Sequence, residues 1–304
     1  MSLLKVAVVQ AAPILFDLEK SLQKTYDLIA QAAEKEAQLV VFPESFLPAY
    51  PRGLSFGSVV GSRTEAGREQ WQLYWQNSVV VPGPATKKLA DWAKKFNVYL
   101  VMGITERDAT NGSLYCSLIY FSPEGRLIGK HRKLKPTAAE RIIWGEGDGT
   151  DLEVFDTPFG KMGGLICWEN YMPLARTTLY EQGIQIYLAP TADARDTWQA
   201  TMQHIALEGR CFEIGCNQFV TKQMYPPEIK NLPEMQHQPD IMSRGGSVVI
   251  SPLGKVLSGP LFDQEDILLV SLDLDEITRS KLDFDPIGHY SRPDVFELKL
   301  KSNS

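Results

Sequence analysis

Met-Gly-Gly-Leu-Ile-Cys-Trp-Glu-Asn, residues 162–170, is a short apolar run that ends at a cysteine, Cys167. We predict a buried strand at residues 163–166, because a run of this length and composition is typical of a strand inside a sheet. Further along the chain we predict a helix at 173–182, a strand at 184–188 and a helix at 198–212. Strands that alternate with helices in this way indicate an α/β sheet covered by helices.

The amino-terminal half of the chain shows the same alternation. Asp17 is placed to cap a helix whose apolar residues recur at spacings of four and three, namely Leu18, Leu22, Tyr26, Ile29 and Ala33. We also predict buried strands at 6–9, 39–42 and 98–104, a helix around 89–96, and a hairpin formed by 114–121 and the segment after Arg126.

The carboxyl-terminal part adds strands rather than a second unit. We predict strands at 218–221, 247–250 and 267–272. Residues 224–240 are rich in Pro, Gln and Glu, so we expect an exposed loop there. No shift in composition marks a boundary, and we therefore expect a single domain over residues 1–304.

Composition excludes several classes of function. The chain has 304 residues, of which 44% are hydrophobic, and 31 basic against 37 acidic side chains give a net charge of −6. An acidic balance argues against nucleic acid or an anionic membrane as the main partner. No apolar run approaches the roughly 20 residues that span a bilayer. The amino terminus lacks the basic segment of a signal peptide, so we expect a cytoplasmic location.

Cysteine and histidine usage predicts neither a disulfide scaffold nor a metal site. The four cysteines are too few for a scaffold, and none belongs to a Cys-x-x-Cys pair. No two of the four histidines are three or four residues apart, which argues against zinc. We expect no cofactor.

Three polar residues stand at the positions where chemistry is expected. Glu44 follows the strand at 39–42, and ligands of α/β sheets gather at the carboxyl ends of strands. Lys133 lies in the basic run 130–137, which Leu134 interrupts. Cys167 ends its strand just before a helix, where the partial charge of the helix favours a thiolate and free N–H groups can hold an oxyanion. Taken singly, each has an ordinary alternative: a surface carboxylate, a solvated basic face and an inert buried thiol.

Taken together, the three motifs resemble the nitrilase superfamily. Phe42-Pro43-Glu44, His131-Arg132-Lys133-Leu134 and Gly164-Leu165-Ile166-Cys167-Trp168-Glu169 follow one another in the order of that family. The resemblance extends from Val6 to Phe296 and includes the segments 135–149 and 204–211. Cys167-Trp168-Glu169 is similar to true nitrilases, whereas the amidase and carbamoylase branches usually carry other residues after the cysteine.

The resemblance implies a four-layer α-β-β-α sandwich with mixed sheets and a Glu–Lys–Cys triad. Cys167 would attack the substrate, Glu44 would act as general base, and Lys133 would stabilise developing negative charge, with help from the backbone N–H of Trp168. Glu140 is implied as a second carboxylate that positions the substrate or the lysine amine. The side chains of Trp168 and Tyr50 are candidates for the substrate pocket, although aromatic side chains more often belong to the core.

The implied activity is hydrolysis of an organic nitrile to a carboxylic acid and ammonia. An amidase or carbamoylase of the same superfamily and a cyanide hydrolase are the nearest alternatives. A papain-like Cys–His enzyme would need His131 or His204 beside Cys167, and a non-enzymatic scaffold is the remaining alternative. The sequence does not indicate which nitrile is the substrate.

The resemblance also implies a homodimer or a small even-numbered oligomer. Its interface would be the helix at 173–182. Met172, Leu174, Ala175, Leu179 and Tyr180 offer more apolar surface there than one helix face needs.

Overall fold

The computed structural model describes residues 3–301, and the ends of the predicted domain, residues 1–2 and 302–304, lie outside the described part. In chain order its strands are β1 (Leu3–Gln10), β2 (Leu39–Val41), β3 (Val79–Val80), β4 (Tyr99–Arg107), β5 (Leu114–Phe121), β6 (Leu127–Arg132), β7 (Phe155–Thr157), β8 (Gly160–Gly164), β9 (Ile186–Pro190), β10 (Phe212–Cys216), β11 (Phe219–Thr221), β12 (Ile241–Ile250), β13 (Val256–Phe262) and β14 (Asp266–Asp273).

Helices separate most of the parallel strands. They are α1 (Leu18–Glu34), α2 (Glu65–Asn77), α3 (Pro84–Phe96), α4 (Pro173–Glu181), α5 (Asp196–Gly209), α6 (Pro227–Lys230), α7 (Pro233–Gln236) and α8 (Asp275–Ser280). Short 3₁₀ helices occur at Ala138–Ile142, Cys167–Tyr171 and Lys222–Met224.

The strands form two mixed sheets. The first has the order β14-β1-β2-β4-β5-β6, with β3 paired to β4, and the second has the order β11-β12-β10-β9-β8-β7, with β13 paired to β12. Parallel pairs occupy the centre of each sheet, β1 with β2 and β4 in the first and β8 with β9 and β10 in the second. Antiparallel strands flank them, so the carboxyl ends of several central strands share one edge.

The side chains of each strand alternate between two cores. In β1, Val6 and Val8 join the apolar layer between the sheets, whereas Ala7 and Val9 pack under α1 and α3. In β9, Leu188 faces the first sheet, whereas the side chains on either side of it pack under α4 and α5. Helix, sheet, sheet and helix therefore follow one another, and the predicted four-layer sandwich with mixed sheets is confirmed.

Local signals account for the best-predicted elements. Asp17 caps α1 by accepting a hydrogen bond from the amide of Lys20 at 3.0 Å. Leu22 and Ile29, which we placed on the apolar face of that helix, are fully buried. The hairpin prediction is also confirmed, since β5 and β6 pair antiparallel across the turn at residues 122–125.

The helix predicted at 198–212 is too long. It ends at Gly209, because Arg210 adopts a left-handed conformation with φ of 49°, and Phe212 begins strand β10. The short apolar segment around residue 212 fits either a strand or the end of a helix. Hydrophobic periodicity could therefore not distinguish the end of α5 from the start of β10. Helices α2 and α8 and strands β3, β7 and β13 were not predicted.

Residues 224–240 are not an exposed loop. Helices α6 and α7 lie in this segment, and Tyr225, Ile229 and Met235 are buried in the core between the sheets. These three residues are spaced by four and six positions among prolines, glutamines and glutamates. Composition alone therefore predicted an exposed loop, which is wrong.

The apolar surface predicted for α4 is smaller than expected. Ala175, Leu179 and Tyr180 are buried within this chain, while Met172 and Leu174 stay exposed. No helix within residues 3–301 is both long enough and apolar enough to cross a membrane.

Candidate active site

The residues singled out in the sequence lie at the carboxyl ends of strands. Glu44 follows β2, Lys133 follows β6 directly, and Cys167 follows β8 as the first residue of a 3₁₀ helix. Glu140 comes from the 3₁₀ helix at Ala138–Ile142. The fold brings the four together at one edge of the two sheets, as the rule for α/β sheets predicts.

Lys133 is buried between two carboxylates. Its Nζ donates to Oε1 of Glu44 at 2.7 Å and to Oε2 of Glu140 at 2.8 Å. Burial by itself would lower the pKa of Lys133, but the charge of Glu44 and the neighbouring thiols and carboxylate raises that pKa well above its usual value. The lysine is therefore a fixed positive charge, held in place from two sides.

Glu140 is held by three donors. Besides Lys133, it accepts hydrogen bonds from the hydroxyl of Tyr50 at 2.7 Å and from the amide of Thr137 at 2.6 Å. Its carboxylate therefore fixes both the lysine and one wall of the site. Its role in positioning the lysine amine during a reaction stays a prediction.

Glu44 keeps one carboxylate oxygen free. Oε1 accepts from Lys133, whereas the buried Oε2 has no hydrogen-bond partner among residues 3–301. The side-chain amide of Gln218 donates to the backbone carbonyl of Glu44 at 2.8 Å and holds the residue in place. Burial raises the pKa of Glu44, and the nearby charge of Lys133 only partly offsets it. A free carboxylate oxygen with a raised pKa is well suited to accept a proton.

Cys167 stands in a constrained position. Its φ of 52° lies in the left-handed region, which costs a residue with a Cβ about 1 kcal/mol. The hydroxyl of Thr191 lies 3.2 Å from Sγ, and the side-chain amide of Asn170 donates to the carbonyl of Cys167 at 2.7 Å. These contacts hold the backbone in the turn that exposes the thiol to the site.

The expected thiolate is not what this environment favours. Burial, followed by the negative charge of Glu44, raises the pKa of Cys167 to about 12. The helix that begins at Cys167 is a single 3₁₀ segment of five residues, too short for its dipole to overcome the loss of solvent. The resting group is a thiol, so the site needs a base to remove its proton.

Glu169 joins the cysteine turn to the lysine strand. It accepts hydrogen bonds from the amides of Ile166 at 2.7 Å and Leu134 at 2.6 Å, and its Oε2 lies 3.0 Å from Nε2 of His131. The other ring nitrogen of His131 is 3.0 Å from Asp151. The imidazole of His131 therefore links the cysteine turn to Asp151 through Glu169.

The geometry gives no support to a Cys–His pair. Both ring nitrogens of His131 are engaged by carboxylates, and His204 is an exposed residue beside Glu208. Within residues 3–301, no group of three or more His, Cys, Asp or Glu side chains is arranged to hold a metal ion.

A cavity of about 560 Å³ opens in front of these residues. Cys167 and Glu140 form part of its wall, and so do the two predicted pocket residues, Tyr50 and Trp168. The indole N–H of Trp168 donates to Asp193 at 2.8 Å, which fixes the ring at the cavity mouth. Both aromatic residues therefore line the cavity, and Tyr50 also packs against the core between the sheets.

Sequence reasoning missed several residues of the site. Thr191 follows β9 and Gln218 lies just after β10, so the strand-end rule that led to Glu44 could have found both. Arg52 and Arg195, which also line the cavity, carry no such signal. They reach the site through loops whose course only the folded chain defines.

Comparison with known proteins agrees with this architecture. A family model described as carbon-nitrogen hydrolase matches residues 5–281. The crystal structure of Nit3 from Saccharomyces cerevisiae, a member of branch 10 of the nitrilase superfamily, superposes with a TM-score of 0.72 at 24% identity and covers 97% of both chains. A carbon-nitrogen hydrolase from Helicobacter pylori G27 gives a TM-score of 0.75 at 22% identity, with 97% of both chains covered. These structures share the fold.

Sequence relatives are considerably more similar. The bifunctional nitrilase/nitrile hydratase NIT4A of Lupinus angustifolius is 50% identical over 98% of this chain and 86% of its own length. An aliphatic nitrilase of Sinorhizobium fredii (strain HH103) is 49% identical over 98% of this chain and 96% of its own length. With the family model matching most of its length, this chain belongs to the carbon-nitrogen hydrolase family.

Proposed function

We propose that this protein is a nitrilase, which converts an organic nitrile and two water molecules into a carboxylic acid and ammonia. One observation carries the proposal: the buried ammonium of Lys133 is held between Glu44 and Glu140, behind a cavity that Cys167 lines. Relatives about half identical over nearly their full length are named as nitrilases, and this supports a nitrile as the substrate.

The first step joins the thiol to the nitrile. The free Oε2 of Glu44 accepts the thiol proton, and Sγ of Cys167 forms a bond to the nitrile carbon as one carbon–nitrogen π bond breaks. The product is a thioimidate, whose nitrogen receives the proton. Since the pKa of Cys167 is about 12, this general base is required near neutral pH.

The later steps consume two water molecules. Glu44 removes a proton from the first water, which adds to the thioimidate carbon and gives a tetrahedral adduct. The carbon–nitrogen bond then breaks, ammonia leaves and a thioester remains. A second water hydrolyses the thioester, so that the acid leaves and the thiol is restored. If the carbon–sulfur bond of the adduct breaks instead, the product is the amide.

Lys133 and its neighbours support these steps. The ammonium stabilises negative charge that develops on the substrate nitrogen and later on oxygen, and the backbone N–H of Trp168 adds a second donor. Glu140 positions the lysine, while Tyr50 and Trp168 shape the cavity around the substrate. In this proposal the catalytic residues are Glu44, Lys133 and Cys167.

An ammonia-release screen tests the activity. Purified protein is incubated with aliphatic, aromatic and dinitrile substrates, with the matching amides and with cyanide. We expect ammonia and acid from at least one nitrile, with little from its amide. The amide product is also quantified, because some relatives are named bifunctional nitrilase/nitrile hydratase. Release from amides or cyanide alone would favour the two alternative enzymes, and inactivity of folded protein would favour a scaffold.

Three broader features belong to the proposal. The whole chain acts as one hydrolase domain. Its location is cytoplasmic, which agrees with the four free cysteines, and cell fractionation tests this location.

The protein assembles as a dimer or small even-numbered oligomer through α4. Support comes from Leu174, which is 67% exposed, and from a groove between α4 and the exposed apolar residues around Phe296.

A further inference from the structure

The acidic groups on the cavity wall are already matched by donors. Glu140 is bound by the amine, phenol and amide described above. Asp193 accepts from Nε of Arg195 at 2.9 Å as well as from the indole of Trp168. Asp263 pairs with Arg244 at 3.1 Å. None of these carboxylates needs a charge from the substrate.

Arg52 is the lining cation without an acidic partner. No carboxylate oxygen lies within 4.0 Å of its guanidinium among residues 3–301, whereas Arg195 pairs with Asp193 and Arg244 pairs with both Asp196 and Asp263. One N–H group of Arg52 donates to the carbonyl of Ala192, and its carbon atom Cζ lies 5.1 Å from the centre of the Tyr50 ring. The remaining N–H groups have no acceptor within the described chain.

A short path joins Arg52 to the reacting centre. Its guanidinium lies over the ring of Tyr50, whose hydroxyl donates to Glu140, which in turn holds Lys133. Arg52 and Cys167 also line the same cavity of about 560 Å³, a volume that suits a small organic molecule. Both residues therefore face the space in which one substrate would bind.

From this geometry we infer that Arg52 binds a carboxylate on the substrate, so that the substrate class is a short nitrile carrying a carboxylate group. This inference rests on the proposed nitrilase function and adds its specificity. The planar fork of a guanidinium matches a carboxylate with two parallel hydrogen bonds. A carboxylate offers the N–H groups of Arg52 charged acceptors, which an apolar nitrile does not.

A matched pair of substrates tests the inference. β-Cyanopropionate and isoamyl cyanide have the same shape, with a carboxylate in the first and an isopropyl group in the second. Kinetics of ammonia release give kcat/KM for both with wild type, Arg52→Met and Arg52→Lys. Arg68→Met, on the exposed face of α2, serves as the control variant. A hydrogen-bonded charge pair corresponds to a preference of about 10- to 100-fold for β-cyanopropionate.

In Arg52→Met we expect that preference to disappear because kcat/KM with β-cyanopropionate falls towards the value with isoamyl cyanide, and thermal unfolding compared with wild type shows that the variant is folded. Arg52→Lys should keep part of the preference, and Arg68→Met all of it. Calorimetric titration with butanoate, which has no nitrile, should show binding to wild type and not to Arg52→Met. This binding measurement does not depend on turnover.

Two results would overturn the inference, and they differ from failure of the proposed function. Equal rates with both substrates in wild type would show that the cavity does not select a carboxylate. An equal fall of both rates in Arg52→Met, with butanoate binding unchanged, would show that Arg52 acts through Tyr50 and Glu140 instead. If wild type hydrolyses no nitrile, the proposed function fails, and butanoate binding still decides the role of Arg52.

Discussion

At the scale of single residues, Cys167 combines a left-handed backbone with a thiol whose pKa burial raises to about 12. Cys167→Ala removes one sulfur atom and should abolish turnover without unfolding the protein, because the substitution leaves only a small gap in the core. Thermal unfolding compared with wild type checks the fold. Mass spectrometry of wild type with a slow nitrile should find the adduct on Cys167. An adduct on one of the other three buried cysteines, Cys116, Cys211 or Cys216, would contradict the assignment.

Two substitutions of Lys133 separate the effect of its charge on kcat from the effect of its shape. Its compact ammonium meets two carboxylates at 2.7 and 2.8 Å in a fully buried space. Lys133→Arg keeps the charge but spreads it over a planar fork that this space does not fit. We expect kcat to fall by about 10²–10³-fold, nearly as far as in Lys133→Ala, as for loss of one stabilising donor. Near-wild-type kcat in the arginine variant would mean that the amine is not part of the reaction.

At the scale of secondary structure, strand β4 supports the turn that carries Glu44. A Cβ added at Gly103 would lie 2.0 Å from the carbonyl oxygen of Pro43 and 2.8 Å from Cα of Glu44. Gly103→Ala should therefore displace Glu44, lowering stability by about 1–3 kcal/mol, as overpacking usually does. We also expect kcat to fall in the fraction of protein that stays folded. Gly112→Ala, where a Cβ meets open space, is the control. Wild-type kcat in Gly103→Ala would show that the turn adjusts freely.

The stability that the ionic contacts between β6 and the turn at Cys167 contribute should depend on pH. Burial lowers the pKa of His131, but Glu169 and Asp151 outweigh it and raise that pKa from 6.5 to about 10. A raised pKa stabilises the folded state below pH 6.5, and this contribution is lost as the pH rises towards 10. The free energy of unfolding of wild type should fall over that range, relative to His131→Gln. Parallel curves for the two proteins would argue that the imidazole stays neutral.

At the scale of the whole molecule, assembly and activity should be linked. Arg176 of α4 donates to the carbonyl of Asn170, whose side chain holds the carbonyl of Cys167. A partner packed on α4 would brace this chain of contacts. Leu174→Lys should then produce a monomer of reduced kcat in light scattering and activity assays. Leu253→Lys, which changes a similarly exposed leucine in the turn after β12, should leave the oligomer and its activity intact. A fully active wild-type monomer would remove both the dimer and its link to catalysis.

The sequence alone determined the features that depend on local pattern. Apolar periods predicted most strands but only four helices, α1, α3, α4 and α5, and Asp17 was identified as a cap from its position before an amphipathic helix. The strand-end rule and the nitrilase resemblance pointed to Glu44, Lys133, Glu140 and Cys167, whose catalytic roles stay predictions. These inferences work because secondary structure and turns depend on residues that are close together in the sequence.

Only the tertiary structure decided the features that depend on packing. Lys133 meets Glu44 across 89 residues of chain, and Gln218 holds the carbonyl of Glu44 across 174. The burial of Tyr225, Ile229 and Met235, the high pKa of Cys167 and the lack of an acidic partner for Arg52 among residues 3–301 likewise follow from what surrounds each group. A sequence gives the chemistry of a side chain, but its solvent exposure and the charges beside it are set when distant segments pack together.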